Sequence, residues 1–158
     1  MNKTKLDSAS EQNILNMLME SSIISSDQMS KINSTSVEIG KSKLETAFEL
    51  NFANENEILK ILSTTYSLPI IDLQKYKIDS KIKKIIDSRY IMDHSLVPFE
   101  ISDETLKIAV ADGSKLSLMK NLKTMTKMEP ELYAASISNI NEFIERLTKM
   151  DGKKVSEH

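Results

Sequence analysis

The chain matches itself at an offset of 29 residues, Leu15 falling on Leu44. At that offset Met19 meets Phe48, Ile23 meets Phe52, Asp27 meets Asn56, Met29 meets Ile58 and Ile32 meets Ile61. A repeat of this length is a supersecondary unit that buries its apolar face against its neighbour. Each copy reads as a helix, a polar break and a second helix, with breaks at 21–28 and 51–57. Ser25 and Asn54 are placed to cap the following helix, and acidic or amide residues in the next turn suit the helix dipole. Ile14, Leu18 and Met19 share one face, as do Met29 and Ile32. In the second copy Leu44, Ala47 and Phe48 share a face, then Ile58, Ile61 and Leu62. Such stripes are core packing, and two helix pairs make a small bundle.

The octapeptide YSLPIIDL, residues 66–73, ends the repeat and opens a different pattern. Residues 68–73 read as a strand, with Pro69 at its start or at a sheet edge because proline lacks a donor. A helix is expected over 80–90, capped by Ser80, with Ile82, Ile85, Ile86 and Tyr90 inward. Lys81, Lys83 and Lys84 lie off that stripe, as a solvated face or a docking surface for an acidic partner. Residues 96–101 and 105–111 read as a hairpin around SDE, with Leu106, Ile108 and Val110 on one face and Lys107, Ala109 and Ala111 on the other. Asp112 or Ser114 then caps a helix carrying Leu116, Met119, Leu122 and Met125. A last strand covers 131–136. Ser138 caps an amphipathic helix with Ile140, Phe143, Ile144 and Leu147. The fold class is α+β: a helical repeat of two helix pairs, then a small mixed α/β unit of order β-α-β-β-α-β-α. The expected divisions are a disordered 1–12, a repeat over 13–66, an α/β unit over 67–148 and a polar tail or linker over 149–158.

Several chemistries find no support in these residues. Gly40, Gly113 and Gly152 are the three glycines, with no phosphate-loop or dinucleotide spacing among them. There is no cysteine, and the histidines are His94 and His158; neither sits in a metal-ligand spacing, and His94 reads as a boundary residue. No nucleophile–base pair is evident, so no catalytic residue, metal ligand or cofactor is assigned. The net charge of −2, with both signs mixed, implies no general attraction to nucleic acid. No apolar run approaches the ~20 residues of a membrane span, so no direct membrane insertion is expected and a cytoplasmic location is.

The words ILSTTYSLPIIDL (61–73), HSLVPF (94–99), LKIAVAD (106–112) and ISNINEFIERL (137–147) stand in the order and spacing of a known family. The chain resembles the N-terminal region of the type II secretion and type IV pilus assembly ATPases over roughly Asn13 to Leu147. Some members of that family bind cyclic di-GMP with the helical repeat, through a pattern of one Arg, two Gly and a closing Gln per copy. Carried over, the Arg position is Asn13 and Ser42, and the first Gly position Leu15 and Leu44. The second Gly position is Ser22 and Asn51, and the Gln position Ser36 and Thr65. Glycine admits close backbone approach and leucine blocks it; phosphates call for bidentate donors of the Arg type. The nucleotide site is degenerate at every one of these positions.

The resemblance implies a non-catalytic docking or regulatory domain. Its partner would be the cytoplasmic domain of an inner-membrane secretion or pilus platform protein, with the ATPase domain itself alongside if the chain is longer. Met17 and Met29 in the first copy are the residues expected to face such a partner. The alternatives are a cyclic di-GMP sensor and a stand-alone regulator competing with the full-length ATPase.

Overall fold

The computed structural model describes residues 6–156. Four helices come first: α1 Ser8–Glu20, α2 Ser26–Ile39, α3 Lys43–Glu49 and α4 Glu55–Tyr66. After a 3-10 turn at Leu73–Lys75 come α5 Ser80–Ile85, α6 Ser88–His94, β1 Leu96–Ser102 and β2 Thr105–Val110. A 3-10 helix Gly113–Leu118 runs into α7 Met119–Thr126, followed by β3 Glu129–Ala134 and α8 Ile137–Ser156. The class is α+β, with helices leading and a mixed sheet following.

The 29-residue offset is written into the backbone. Ile23 N–H donates to the Leu18 carbonyl at 2.9 Å, and Phe52 N–H to the Ala47 carbonyl at 2.9 Å. Ser22 and Asn51 both turn left-handed, at φ 64° and 61°. Each break therefore closes its first helix by the same motif, which gathers the last carbonyls around a left-handed residue. Each then opens its second helix with a full capping box, Ser25 with Gln28 and Asn54 with Glu57. The copies differ in length, since α1 has 13 residues and α3 only 7.

The sheet has the order β1-β2-β3, antiparallel then parallel. The hairpin turn is as expected, with Asp103 left-handed at φ 57°. A bulge lies between Pro98 and Glu100. Phe99, within it, packs edge-on against Tyr76 at 4.7 Å and Tyr133 at 5.4 Å. The expected strand over 68–73 is reduced to one parallel bridge, Ile70 to Ala134. Ala134 N–H donates to the Pro69 carbonyl, and Ile71 N–H to the Ala134 carbonyl. Continuing that ladder toward the N-terminus needs an N–H at position 69, which proline lacks. On the other side Asp72 caps the 3-10 turn at Leu73.

Other boundaries also shift. The helix expected over 80–90 is two helices, because Ile86 is extended and buried and Asp87 caps α6. Asp79, not Ser80, caps α5. Asp112 caps the helix after β2. Of the stripe that follows it, Leu122 is buried, while Leu116 and Met125 are exposed. The Ser136 hydroxyl, two residues ahead of the expected Ser138, accepts from Asn139 N–H at 3.2 Å. Helix begins at Ser8 inside the stretch expected to be disordered, and α8 runs through most of the expected tail. Residues 1–5 and 157–158 of those two stretches lie outside the described residues. Buried apolar residues of both halves form one contiguous cluster, from Ile14 in α1 to Leu147 in α8.

Candidate ligand site and docking surface

The eight positions that would carry nucleotide chemistry are placed as follows. Leu15 and Leu44 are 1% and 0% exposed, and both belong to the central core. A ligand seated where a glycine would stand meets these side chains, and driving a core leucine out to solvent costs about 1.5–3 kcal/mol. Asn13 uses its side-chain carbonyl to accept from Gly113 N–H at 3.2 Å. Ser42 is the cap of α3, sharing a capping box with Glu45. Ser36 is buried and its hydroxyl donates to the Asn33 carbonyl; Thr65 is exposed on α4. Ser22 and Asn51 keep the left-handed backbone that glycine adopts without strain. The conformation of the turns is preserved, while the space and the donors are used for packing and capping.

Around Asn13 the helical half is tied to the α/β half. A β-carbon at Gly113 would lie 2.1 Å from Cζ of Tyr66, so the last residue of α4 lays its ring directly on that glycine. Asp7 caps α1, accepting from Ser10 N–H at 3.3 Å and from the Ser10 hydroxyl at 2.6 Å. The same carboxylate accepts from Lys115 at 3.1 and 3.2 Å, and Asp7 N–H donates to the Ser95 hydroxyl. Lys115 is 2% exposed. Burial pushes the Asp7 carboxyl upward, but the Ser10 hydroxyl, the Lys115 ammonium and the Ser95 hydroxyl outweigh it and hold the group below the ordinary carboxylate range. On the far side Glu55 accepts from Ser138 N–H at 3.0 Å and from its hydroxyl at 2.5 Å. Sequence reading missed this junction. Its one available signal was a glycine between two capping residues in Asp112-Gly113-Ser114.

The two methionines expected at a partner surface are not placed alike. Met17 is 6% exposed and lies in the core, because α1 packs against α3, α4 and the 3-10 helix at once and buries more than one face. Met29 is half-buried against the same core. Exposed apolar side chains of the repeat are instead Met19 and, at the end of α2, Val37 and Ile39, with Val37 84% exposed. Among the described residues no group of carboxylates and histidines is arranged to hold a metal. His94 closes α6 with its ring 4.2 Å from that of Tyr90. A small cavity between α5, α6, β1 and α8 measures about 10 Å³, room for a single water at most. No described helix is long and apolar enough to cross a membrane.

The architecture defines a class: a two-copy helical repeat locked onto a small α/β unit, as in the N-terminal modules of secretion ATPases. The chain belongs to the MshEN domain family, whose model matches residues 66–154. That match begins at the last residue of α4, so both copies of the repeat lie outside it. The chain is similar to the type IV pilus assembly ATPase PilB of Myxococcus xanthus, 28% identical over 131 residues, covering 82% of this chain and 23% of that protein. PilB of Thermus thermophilus is 18% identical over 123 residues, covering 77% of this chain and 14% of the relative. The chain thus spans less than a quarter of the curated relatives it matches. Among solved structures, MshE with cdg has a TM-score of 0.59 at 22% identity, covering 84% of this chain and 96% of that one. The N-terminal domain of XpsE has a TM-score of 0.59 at 18% identity, covering 92% and 98%.

Proposed function

We propose that this chain is a non-catalytic docking and regulatory domain of a type II secretion or type IV pilus assembly ATPase. It links the motor to the cytoplasmic part of an inner-membrane platform protein and works on the cytoplasmic side. The supporting observation is the pairing of family membership with a filled nucleotide site: Leu15 and Leu44 are core residues, and Asn13 and Ser42 serve as junction and cap. The sequence has no phosphate-binding loop, so within these residues the role is binding. The partner would meet a modest apolar patch with a polar rim, as transient assemblies do. Co-purification with the cytoplasmic domain of the platform protein tests this directly, and absence of any complex at micromolar concentrations overturns it. A stand-alone regulator that competes with the full-length ATPase would bind the same partner; displacement of the full-length ATPase by this chain distinguishes it.

A second reading, sensing of cyclic di-GMP, is favoured by the fold shared with MshE, solved with cdg, and by the left-handed turns at Ser22 and Asn51. A ligand that binds only the folded chain must raise its melting temperature. Calorimetric titration with cyclic di-GMP is expected to give no heat and no melting shift. Micromolar heat with a raised melting temperature would establish the sensor reading instead.

A further inference from the structure

Residues 75–89 carry Lys75, Lys77, Lys81, Lys83, Lys84 and Arg89 against Asp79 and Asp87, a net charge of +4. The whole chain is −2, so everything else sums to −6 (−2 minus +4). Both aspartates in this stretch are engaged as helix caps. Asp79 accepts from Lys81 N–H at 2.9 Å and Asp87 from Arg89 N–H at 3.0 Å. Lys75, Lys77, Lys81, Lys84 and Arg89 are exposed, and none is in an ion pair among the described residues.

The local fold leaves these charges exposed. α5 buries Ile82, and Ile86 follows it into the core. Lys81 and Lys84, three apart, therefore share the outer face of the helix. Arg89 opens α6, and Met92 one turn on is 41% exposed, its sulfur accepting from the Thr148 hydroxyl on α8 at 3.3 Å. The result is a basic face bordered by one exposed apolar side chain, Met92.

We propose that the α5–α6 face is a docking surface for an acidic segment of a partner protein. This names the surface and the partner chemistry for the docking function above, and it rests on that reading. A nucleic-acid backbone fits less well: the aromatic rings near the face, Tyr76 and Tyr90, are half-buried against Phe99 and His94 and offer no stacking platform. A lipid surface also fits less well, because the apolar side of α5 is spent inward and Met92 is the single large apolar side chain of α5 and α6 left exposed to insert. An acidic protein segment needs only the opposite charge and a contact with Met92.

The test uses the full chain and a fluorescently labelled poly-glutamate peptide as the probe. At about 0.01 M ionic strength charges act over about 30 Å, and at about 1 M over about 3 Å. The peptide is expected to bind at the lower salt and release at the higher. The double variant K81E/K84E, or K75E/K77E outside the helix, should weaken binding by roughly tenfold or more, since like charges brought together across a contact repel strongly. K31E/K60E makes the same change of net charge on the repeat and should leave binding within about twofold. No binding at low salt, or equal binding by K81E/K84E and wild type, overturns the proposal. Tighter binding of phosphatidylglycerol vesicles or of a short DNA duplex than of the peptide also overturns it. In the co-purification experiment, a complex that K81E/K84E leaves intact sinks this surface alone. Absence of any complex sinks the docking function, and the peptide titration then decides the surface by itself.

Discussion

Single residues in this domain are held by backbone and space more than by chemistry. Ser22 and Asn51 occupy the left-handed region at φ 64° and 61°, which costs a residue with a β-carbon roughly 1–2 kcal/mol. Replacing Ser22 with glycine relieves that cost and loses part of it again to unfolded-state entropy. We expect Ser22→Gly to raise stability by about 0.5–1 kcal/mol and Asn51→Gly by less, because asparagine tolerates this region better. Denaturant midpoints at unchanged slope would measure both. Gly113 is the opposite case, since a β-carbon there would lie 2.1 Å from the Tyr66 ring. Gly113→Ala should destabilise by roughly 1–3 kcal/mol as overpacking does. Part of the loss should return in the double variant with Tyr66→Ala; strict additivity of the two changes would show that the ring is not the obstacle. Leu15→Gly, which restores the glycine of the nucleotide pattern, should cost about 3–5 kcal/mol through cavity and backbone terms. Ser22 and Asn51 were legible as positions from the 29-residue offset. The close approach at Gly113 was not, because Tyr66 lies 47 residues earlier in the chain and nothing local marks it.

Elements follow local signals where those signals are complete. Of the three capping boxes of the repeat, two were legible at their cap residues, Ser25 and Asn54, and Asn54→Ala should lower stability by about 1 kcal/mol. Where a signal was incomplete, a neighbour decided. The run at 68–73 has strand composition, yet Pro69 stops the ladder after one bridge. The stripe over 80–90 has helical spacing, yet burying Ile86 in an extended conformation lets Asp87 restart the helix. α1 shows how an element takes electrostatic help from afar. Asp7 is held below its ordinary range by Ser10, Lys115 and Ser95 against the effect of burial. A depressed carboxyl contributes stability above its unfolded value of about 3.9 and loses it as pH falls through the folded value. Asp7→Asn should therefore flatten the acid limb of the stability profile. It should cost roughly 2 kcal/mol at neutral pH, less than a fully buried pair, since the Asp7 side chain remains 21% exposed. An acid limb identical in variant and wild type would show that other carboxylates dominate it.

At the scale of the molecule the two halves share one core, and the Asp7–Lys115, Asn13–Gly113 and Glu55–Ser138 contacts cross between them. Unfolding followed by far-ultraviolet circular dichroism and by tyrosine fluorescence should give coincident transitions, as a single cooperative unit requires. Two separated transitions would mean that the halves melt independently despite those contacts. A joined core also explains why Met17, expected at a partner surface, is buried. A helix in an isolated bundle buries one stripe, and on that basis Met17 was free to face a partner. In the assembled molecule α1 is enclosed on several sides and Met17 is part of the core.

The sequence alone determined whatever is encoded within a few residues or by repetition. That covers the doubled helix pair and its caps, the hairpin around Asp103, the amphipathic α8 and the loss of glycine and arginine from the nucleotide pattern. These rest on helical and strand periodicity and on hydrogen bonds between near neighbours. The tertiary structure alone decided how Leu15 and Leu44 fill the core, why position 113 admits no side chain, and that Lys81 and Lys84 stay exposed on the outer face of α5 with no ion pair among the described residues. Each of those depends on which distant segment arrives at the same place, and excluded volume and unpaired charge are properties of that meeting, not of either segment.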